Sequence, residues 1–390
     1  MESVHLESID DDLAALRDWL LTDARLKTDI RHIITGLGVR LNASGVPVDR
    51  LTFAAQALHA EHVAFSSTWV RGEENMQQLQ AHGFESIADY QKSTIRAAHE
   101  SRAPLFLWLP DVPADRYTLI PELKHDGYIH YLCFPAFFGN GHSNALTCAT
   151  REPAGFSQRA IALLEALMPT LVAVLEILSS YKALDEVLRI YVGNEPHHAI
   201  LAGHIGRGQV SRIRSAILFA DMRNYTRITS AMDPEGAVAL LNRYFDCLVP
   251  PIEAEGGEVL KYMGDGLLAI FRDRSDDTGA AAQAALAAAS AALAHIHRIE
   301  AADVRGGIQA GIALHHGEAA YGNVGSGARL DFTVVGRDVN LTSRLAQLNK
   351  VLGEPLLMSR RFSEHLWTDT HRLGSFRLDG FDDEIEVYRP

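Results

Sequence analysis

The chain has 390 residues, of which 47% are hydrophobic and 22% are charged, and its formal net charge at pH 7 is −13. This length accommodates two domains with ordinary cores. The acidic balance argues against a general nucleic-acid binder, because phosphate backbones attract basic surfaces. A nucleotide site stays compatible with it, since metal ions can supply positive charge locally.

Cysteine usage and hydropathy predict a cytoplasmic protein without a membrane span. The three cysteines, Cys133, Cys148 and Cys247, form no CxxC pair, and an odd number cannot pair completely. The acidic N-terminus lacks the apolar core of an export signal. The most apolar stretches, 163–178 and 280–294, are too short or too interrupted to cross a bilayer.

The first 156 residues predict a mixed α+β domain. Apolar residues at helical spacing predict helices in three places: 10–21, 51–59 and 87–99. Short apolar or alternating runs bounded by prolines and glycines predict four strands, at 63–70, 105–109, 128–138 and 145–150.

Residues 156–191 predict one long helix that Ser157 can cap. Pro169 is expected to kink or interrupt it, and residues 193–196 to end it. A heptad-like seam of about two and a half repeats leaves two interpretations open, a dimer stalk or a helix packed on its own domain. The seam residues are Ile161, Leu164, Met168, Leu171, Leu175 and Leu178.

From residue 215 onward, strands and helices alternate in the order β-α-β-β-α-β, which predicts a ferredoxin-like unit. A strand at 215–219 leads to Asp221, and Asp233-Pro234 begins a helix that Pro250-Pro251 should break in its last turn. The remaining predicted elements are a hairpin at 258–271, a helix at 280–298, a strand at 307–314, a strand pair within 317–335 and a helix at 338–349.

The hairpin carries Asp265 at its Gly-Asp-Gly tip, a favoured turn sequence. In the predicted topology the end of the first strand lies beside this tip, so Asp221 should neighbour Asp265. Two adjacent carboxylates repel, and a pair of divalent cations removes the repulsion. Oxygen ligands suit Mg²⁺ or Mn²⁺, and two such ions promote phosphoryl transfer.

Two further segments complete the predicted site. The strand-to-helix link after Asp221 should expose backbone N–H groups that can hold a triphosphate, and it comprises Met222, Arg223, Asn224, Tyr225 and Thr226. Asn340 and Arg344 are four residues apart, so they share a helix face, where an amide and a guanidinium can hold a ribose and a reacting phosphate.

Three motifs, FADMRNYT, KYMGD and DFTVVGRDVNLTSR, resemble the active-site motifs of class III nucleotidyl cyclases in order and placement. The resemblance covers about residues 205–390 and implies a head-to-tail homodimer. It implies that Asp221 and Asp265 bind two Mg²⁺ or Mn²⁺ ions, that Lys261 and Thr333 read the purine, that Asn340 orients the ribose and that Arg344 stabilises the transition state. Lys261, Thr333, Asn340 and Arg344 would come from the partner subunit.

Purine chemistry favours ATP as the substrate. A lysine can donate to adenine N1 and a threonine oxygen can accept from N6, whereas guanine would need an acceptor in place of Lys261. The family resemblance agrees, because guanylate cyclases carry Glu and Cys at these positions. A guanylate or relaxed-specificity cyclase and a catalytically inactive nucleotide-binding module are the alternatives. A diguanylate cyclase would carry a Gly-Gly-Asp/Glu-Glu-Phe run, which this hairpin lacks.

Two positions depart from the family. Asn224-Tyr225 stands where many members have Gly-Phe, and Asn tolerates the left-handed backbone that such a loop needs. Glu318 lies where some animal members have a phosphate-binding arginine, so triphosphate binding should depend on other groups.

The N-terminal half resembles a GAF domain, a sensor module that often binds small ligands. The chain is therefore expected to comprise a GAF-like regulatory domain at 1–156, a helical linker or dimerisation stalk at 157–204 and a catalytic domain at 205–390. The resemblance implies a small-molecule effector at the N-terminal domain. A purely dimerising or autoinhibitory domain is the alternative.

Overall fold

The computed structural model describes residues 2–27, 29–57, 62–81, 88–203, 206, 208, 210–273, 278–298, 308–326 and 329–390. The chain divides into two compact units, Met1–Leu188 and Arg189–Pro390. The predicted division into sensor, stalk and catalytic domains stays a prediction about their roles.

The N-terminal unit contains a six-stranded antiparallel sheet in the order β3-β2-β1-β6-β5-β4. Its strands are β1 Arg50–Gln56, β2 His62–Val70, β3 Met76–Ala81, β4 Leu105–Trp108, β5 His130–Phe137 and β6 Ser143–Thr150. Its helices are α1 Glu2–Thr22, α2 Ile30–Ala43, α3 Ala88–Gln91, α4 Thr94–Ser101, α5 Ile120–His125 and the long α6 Gln158–Val192.

The predicted helix at 51–59 is wrong, because residues 50–56 form β1. Leu51, Phe53 and Ala55 alternate into the core while their neighbours face the other side of the sheet. Helix-favouring alanines in this segment do not outweigh pairing with β2 and β6 on both sides. Residues 58 and 59 lie outside the described part.

The helix predicted at 87–99 is present in two pieces, α3 and α4, and residue 87 is outside the described part. Ser93 separates them and caps α4, where its hydroxyl accepts a hydrogen bond from the Arg96 N–H. A serine that bonds the backbone in this way favours a new helix start.

The long helix α6 is continuous through Pro169, so of the two predicted effects of this proline the interruption is wrong and the kink stays a prediction. Ser157 caps it as predicted, accepting from the Ala160 N–H at 3.2 Å. Most of the predicted seam is buried in the core of its own unit, which favours a helix packed on its own domain for this part. Farther along, Ile177, Tyr181 and Leu184 are exposed.

The C-terminal unit contains the predicted β-α-β-β-α-β arrangement, whose four strands follow the order β10-β7-β9-β8 and end at the edge strand β8. Helix α9 continues through Pro250 and Pro251 to Ala254, so the predicted break is wrong. The strands of the unit are β7 Val210–Met222, β8 Glu258–Met263, β9 Gly266–Arg272, β10 Ala310–Ser326, β11 Arg329–Val335, β12 Leu356–Ser359, β13 His371–Phe376 and β14 Ile385–Arg389. Its helices are α7 Asn194–Leu201, α8 Tyr225–Thr229, α9 Pro234–Ala254, α10 Thr278–Arg298, α11 Arg337–Leu352 and α12 Arg360–Ser363.

Helix α7 was not expected, because residues 193–196 were predicted only to end the preceding helix. Gly193 does end α6 with a left-handed φ of 86°, and a new helix then starts at Asn194. Pro196 occupies its first turn, where a missing N–H carries no cost.

Two helices, Gln158–Val192 and Gly279–Arg298, have the length and composition to cross a membrane. Each also buries residues in a core, α6 in the N-terminal unit and α10 against the sheet of the C-terminal unit. The absence of a membrane span stays a prediction.

Candidate active site

Asp221 and Asp265 lie side by side, as the topology predicted. Asp221 ends the buried part of β7 and pairs in register with Gly266, the residue after Asp265. The Met222 N–H donates to the Asp265 carbonyl at 3.3 Å, which ties the strand end to the hairpin turn. Gly264 supplies the left-handed φ of 66° that the turn requires. The fold thus joins two carboxylates that are 44 positions apart.

The electrostatics of this pair favour a cation. Burial, and next the charge of Asp265, raise the pKa of Asp221, while the Lys350 ammonium 3.6 Å away opposes the shift. Nearby, the buried Tyr244 hydroxyl has no hydrogen-bond partner among the described residues. No cluster of three His, Cys, Asp or Glu side chains exists within the described ranges. The two aspartates therefore fit divalent ions whose remaining ligands come from substrate oxygens or water.

The loop after Asp221 only partly matches the prediction that its backbone N–H groups are free to bind a triphosphate. Asn224 has the predicted left-handed backbone, with φ of 59°. The Met222 and Arg223 N–H groups are already used, by the carbonyls of Asp265 and Gln309, which corrects the prediction that they are free. Tyr225 and Thr226 begin α8, so their N–H groups lack helical partners.

The side chains of Met222 and Arg223 also have structural roles. Met222 is buried in the core. The Arg223 guanidinium donates to the Asn349 carbonyl in the last turn of α11, where a helix leaves carbonyls open, and to the Glu354 carbonyl just after the helix. Sequence reasoning had placed both residues at the substrate.

Lys261 and Thr333 meet through a hydrogen bond of 3.3 Å between Nζ and Oγ1. A β-bulge between Val259 and Lys261 shifts the register of β8 and so changes the direction of the lysine side chain. Lys261 also donates to Asp331 at 2.8 Å, a contact that the sequence reasoning missed. Asp331 is two residues from Thr333 on β11, so strand periodicity places both on one face and could have identified it.

This contact requires a strongly curved sheet. Thr333 pairs through Gly322 with Val210, whereas Lys261 pairs through Leu268 with Phe219. Nine residues of β7 separate these positions, about 30 Å in a flat sheet. The ribbon of β7, β10 and β11 must therefore coil back toward β8, which no local sequence pattern predicts.

Asn340 and Arg344 share one face of α11, as predicted. They line a cavity of about 650 Å³ together with Arg337, Ser343 and the segment Asp379–Phe381. The Arg344 guanidinium lies 3.7 Å from the exposed Asp379 carboxylate and 3.2 Å from the Gln347 amide oxygen. Glu318, which lies where some animal members of the family have an arginine, forms an ion pair with Arg212 at 2.7 Å.

Asp338 anchors the start of α11. Burial alone would raise the pKa of this carboxyl, but His315, the Glu318 N–H and the Arg361 charge outweigh it and lower the pKa to about 2. The Glu318 N–H donates to it at 2.8 Å, which ties α11 to β10. This anchor fixes the helix that presents Asn340 and Arg344.

The single chain thus assembles three pairs of predicted site residues, and the cavity lined by Lys261 and the cavity lined by Asn340 and Arg344 do not include Asp221 or Asp265 among their described lining residues. Within the described ranges, no hydrogen bond or ion pair joins Asp221 or Asp265 to Lys261, Thr333, Asn340 or Arg344. The roles predicted for these residues stay predictions.

The sequence of the C-terminal unit is similar to those of known nucleotidyl cyclases. A sequence model described as the adenylate and guanylate cyclase catalytic domain matches residues 211–377, inside the C-terminal unit. The chain is 32% identical over 189 residues to an adenylate cyclase of Anabaena cylindrica, a match that covers 46% of this chain and 37% of that protein. It is also 32% identical over 177 residues to adenylate cyclase 1 of Rhizobium meliloti (strain 1021), covering 44% and 26%.

Among solved structures, the adenylyl cyclase CyaB from P. aeruginosa is similar at 24% identity and a TM-score of 0.42, covering 46% of this chain and 95% of that one. The chain spans well under half of the length of the two curated relatives. The family match includes Asp221, Asp265 and the segment from Thr333 to Arg344. Residues 211–377 of the C-terminal unit therefore form a class III nucleotidyl cyclase domain, the family of adenylate and guanylate cyclase catalytic domains.

Proposed function

We propose that the chain is an adenylate cyclase that converts ATP to 3′,5′-cyclic AMP and pyrophosphate. The observation that carries the choice of ATP is the contact between Lys261 and Thr333. It places an ammonium donor beside a hydroxyl oxygen, the pair that adenine N1 and N6 require. The two curated adenylate cyclases that the chain resembles support the same choice.

In the proposed reaction the ribose 3′-oxygen forms a bond to the α-phosphorus, and the bond from that phosphorus to the pyrophosphate oxygen breaks. The 3′-hydroxyl proton leaves to solvent. Two Mg²⁺ or Mn²⁺ ions held by Asp221 and Asp265 would activate the 3′-oxygen and neutralise the phosphates. Asn340 orients the ribose, and the Arg344 guanidinium binds the charge that develops on the phosphoryl oxygens.

We place each active site between two copies of this chain. The aspartates of one copy would face the Lys261–Thr333 pair and the Asn340–Arg344 helix face of the partner. The observation that supports a homodimer is that, among the described residues of one chain, Lys261 lines one cavity, Asn340 and Arg344 line another, and the two aspartates line neither. Asp265 and Lys261 share one hairpin but would serve different active sites.

Exchanging Lys261→Glu together with Thr333→Cys should weaken the preference for ATP over GTP roughly tenfold or more, because a carboxylate can accept from guanine N1–H. The measurement is cyclic nucleotide formation from each triphosphate with Mn²⁺, with Thr333→Ser as the control that keeps a hydroxyl. A wild-type chain that prefers GTP would favour the guanylate or relaxed-specificity alternative. A chain inactive with both would favour the inactive module.

We propose that the N-terminal unit is regulatory and that it is a GAF-like sensor domain. A cavity of about 450 Å³ lies on one face of its sheet, a size suited to a small molecule. Thr94 and Tyr131 form a buried hydroxyl pair at 2.8 Å on its wall. In the C-terminal unit, residues Arg189–Asn194 line a cavity with Lys261, which offers a route from α6 to the purine-reading pair.

Filling the N-terminal cavity with Thr94→Trp should exclude a bound effector and change cyclase activity by a fewfold or more, an effect equivalent to about 1 kcal/mol of coupling. The check is mass spectrometry of small molecules released from the purified full chain, combined with the cyclase assay. Unchanged activity and nothing released from either protein would support a purely dimerising domain.

A further inference from the structure

The helix face that carries Asn340 and Arg344 also carries a third polar side chain, Arg337. Residues 337, 340 and 344 follow the spacing of three and then four that keeps side chains on one helix stripe. All three line the same cavity of about 650 Å³. Its opposite wall is the segment Asp379–Phe381, so the cavity is bounded by two separate elements of the C-terminal unit.

The charge in this cavity is not balanced. Arg344 has Asp379 as a nearby carboxylate, at 3.7 Å. Arg337 lies over the Phe381 ring at 5.4 Å, and no described carboxylate comes within ion-pair distance of its guanidinium. The described lining therefore holds two guanidinium groups and one carboxylate. An excess cation in a cavity of a protein with net charge −13 indicates an anionic ligand.

The identity of the anion follows from the neighbouring residues. Asn340 and Arg344 are the residues that we assign to the ribose and the reacting phosphate, so an anion beside them belongs to the same nucleotide. Glu318 forms an ion pair with Arg212 and supplies no positive charge to a triphosphate. A guanidinium can bind phosphate oxygens through two parallel hydrogen bonds.

We infer that Arg337 is a substrate-binding residue that holds the polyphosphate of the nucleotide, the part that leaves as pyrophosphate. This inference rests on the proposed function. Asp379 would lose its contact with Arg344 when phosphate enters, and this costs little because the Asp379 side chain is 90% exposed.

The test is calorimetric titration of the full chain with inorganic tripolyphosphate in the absence of divalent metal. Arg337→Gln should weaken binding roughly tenfold, since hydrogen bonds to charged groups are the stronger kind. Arg337→Lys should restore part of the affinity, and Asp379→Asn should increase it by removing the competing carboxylate. Arg298→Gln, an equal charge change at the end of α10, should bind as wild type does.

In the cyclase assay, Arg337→Gln should raise KM for ATP by a similar factor and change kcat less. Wild-type affinity in Arg337→Gln, or no tripolyphosphate binding by the wild-type chain, would overturn the inference. If the wild-type chain has no cyclase activity but Arg337→Gln still weakens tripolyphosphate binding, the proposed function is refuted and phosphate binding by Arg337 is not. A melting temperature of Arg337→Gln equal to that of the Arg298→Gln control excludes a folding defect. If the two temperatures differ, the tripolyphosphate affinity of Arg337→Lys tests the same inference.

Discussion

Replacing Asp265 by alanine should abolish cyclic nucleotide formation, with a loss of at least roughly a hundredfold in kcat. Asp265 and Asp221 are the only carboxylates that the proposed chemistry assigns to divalent ions. Removing one leaves a single carboxylate beside Lys350, which already lies 3.6 Å from Asp221 and competes for its charge. Asp221→Ala should have the same effect.

Metal binding provides a readout apart from turnover. Mn²⁺ should raise the melting temperature of the wild-type chain and leave that of Asp265→Ala unchanged. Because folding raises the pKa of Asp221, ionisation of this group opposes folding increasingly as pH rises through that pKa. Removing the repelling Asp265 should therefore not lower the melting temperature of the metal-free protein at neutral pH.

Asp369→Ala, an exposed carboxylate in the same unit, is the matched control and should retain full activity and the Mn²⁺ response. Substantial Mg²⁺-dependent turnover by Asp221→Ala or Asp265→Ala would refute the assignment of the two aspartates to metal binding.

Mixing two inactive variants, Asp265→Ala and Arg344→Ala, should restore activity. In a mixed dimer one active site receives both altered residues and the other receives neither. Random pairing makes half of the dimers mixed, and each contains one intact site of two, so roughly a quarter of wild-type activity is expected. The measurement is cyclase activity after the two chains are produced together and dimers are confirmed.

The control for this experiment is Asp265→Ala mixed with Asp221→Ala. Both residues lie in the same half of a site, so every active site in such a dimer lacks one aspartate, and activity should not return. Recovery in this control, or none with Asp265→Ala and Arg344→Ala in confirmed mixed dimers, would contradict active sites shared between two chains.

Local patterns predicted most of the C-terminal unit. The hairpin with Asp265 at its tip, the Asp233 cap of α9 and the order of strands and helices follow from turn chemistry, capping and periodicity. The errors come from tertiary context. The alanine-rich segment 51–59 has helical composition, but pairing on both sides makes residues 50–56 a strand.

For the site, the sequence by itself named the candidate side chains, through residue type, spacing and the family resemblance of three motifs. Asp221, Asp265, Lys261, Thr333, Asn340 and Arg344 were all identified from motifs. Asp331 was missed although strand periodicity identifies it, and so was Arg337, which is on the same helix stripe as Asn340.

Only the tertiary structure decided which of these residues meet. The coiled ribbon of β7, β10 and β11 brings Thr333 to Lys261 despite an offset of about 30 Å along β7 in a flat sheet. The fold also commits Arg223 to the carbonyls at the end of α11 and turns Lys350 toward Asp221. These outcomes depend on sheet curvature and on which buried polar groups need partners, and both are properties of the whole folded unit rather than of any short segment.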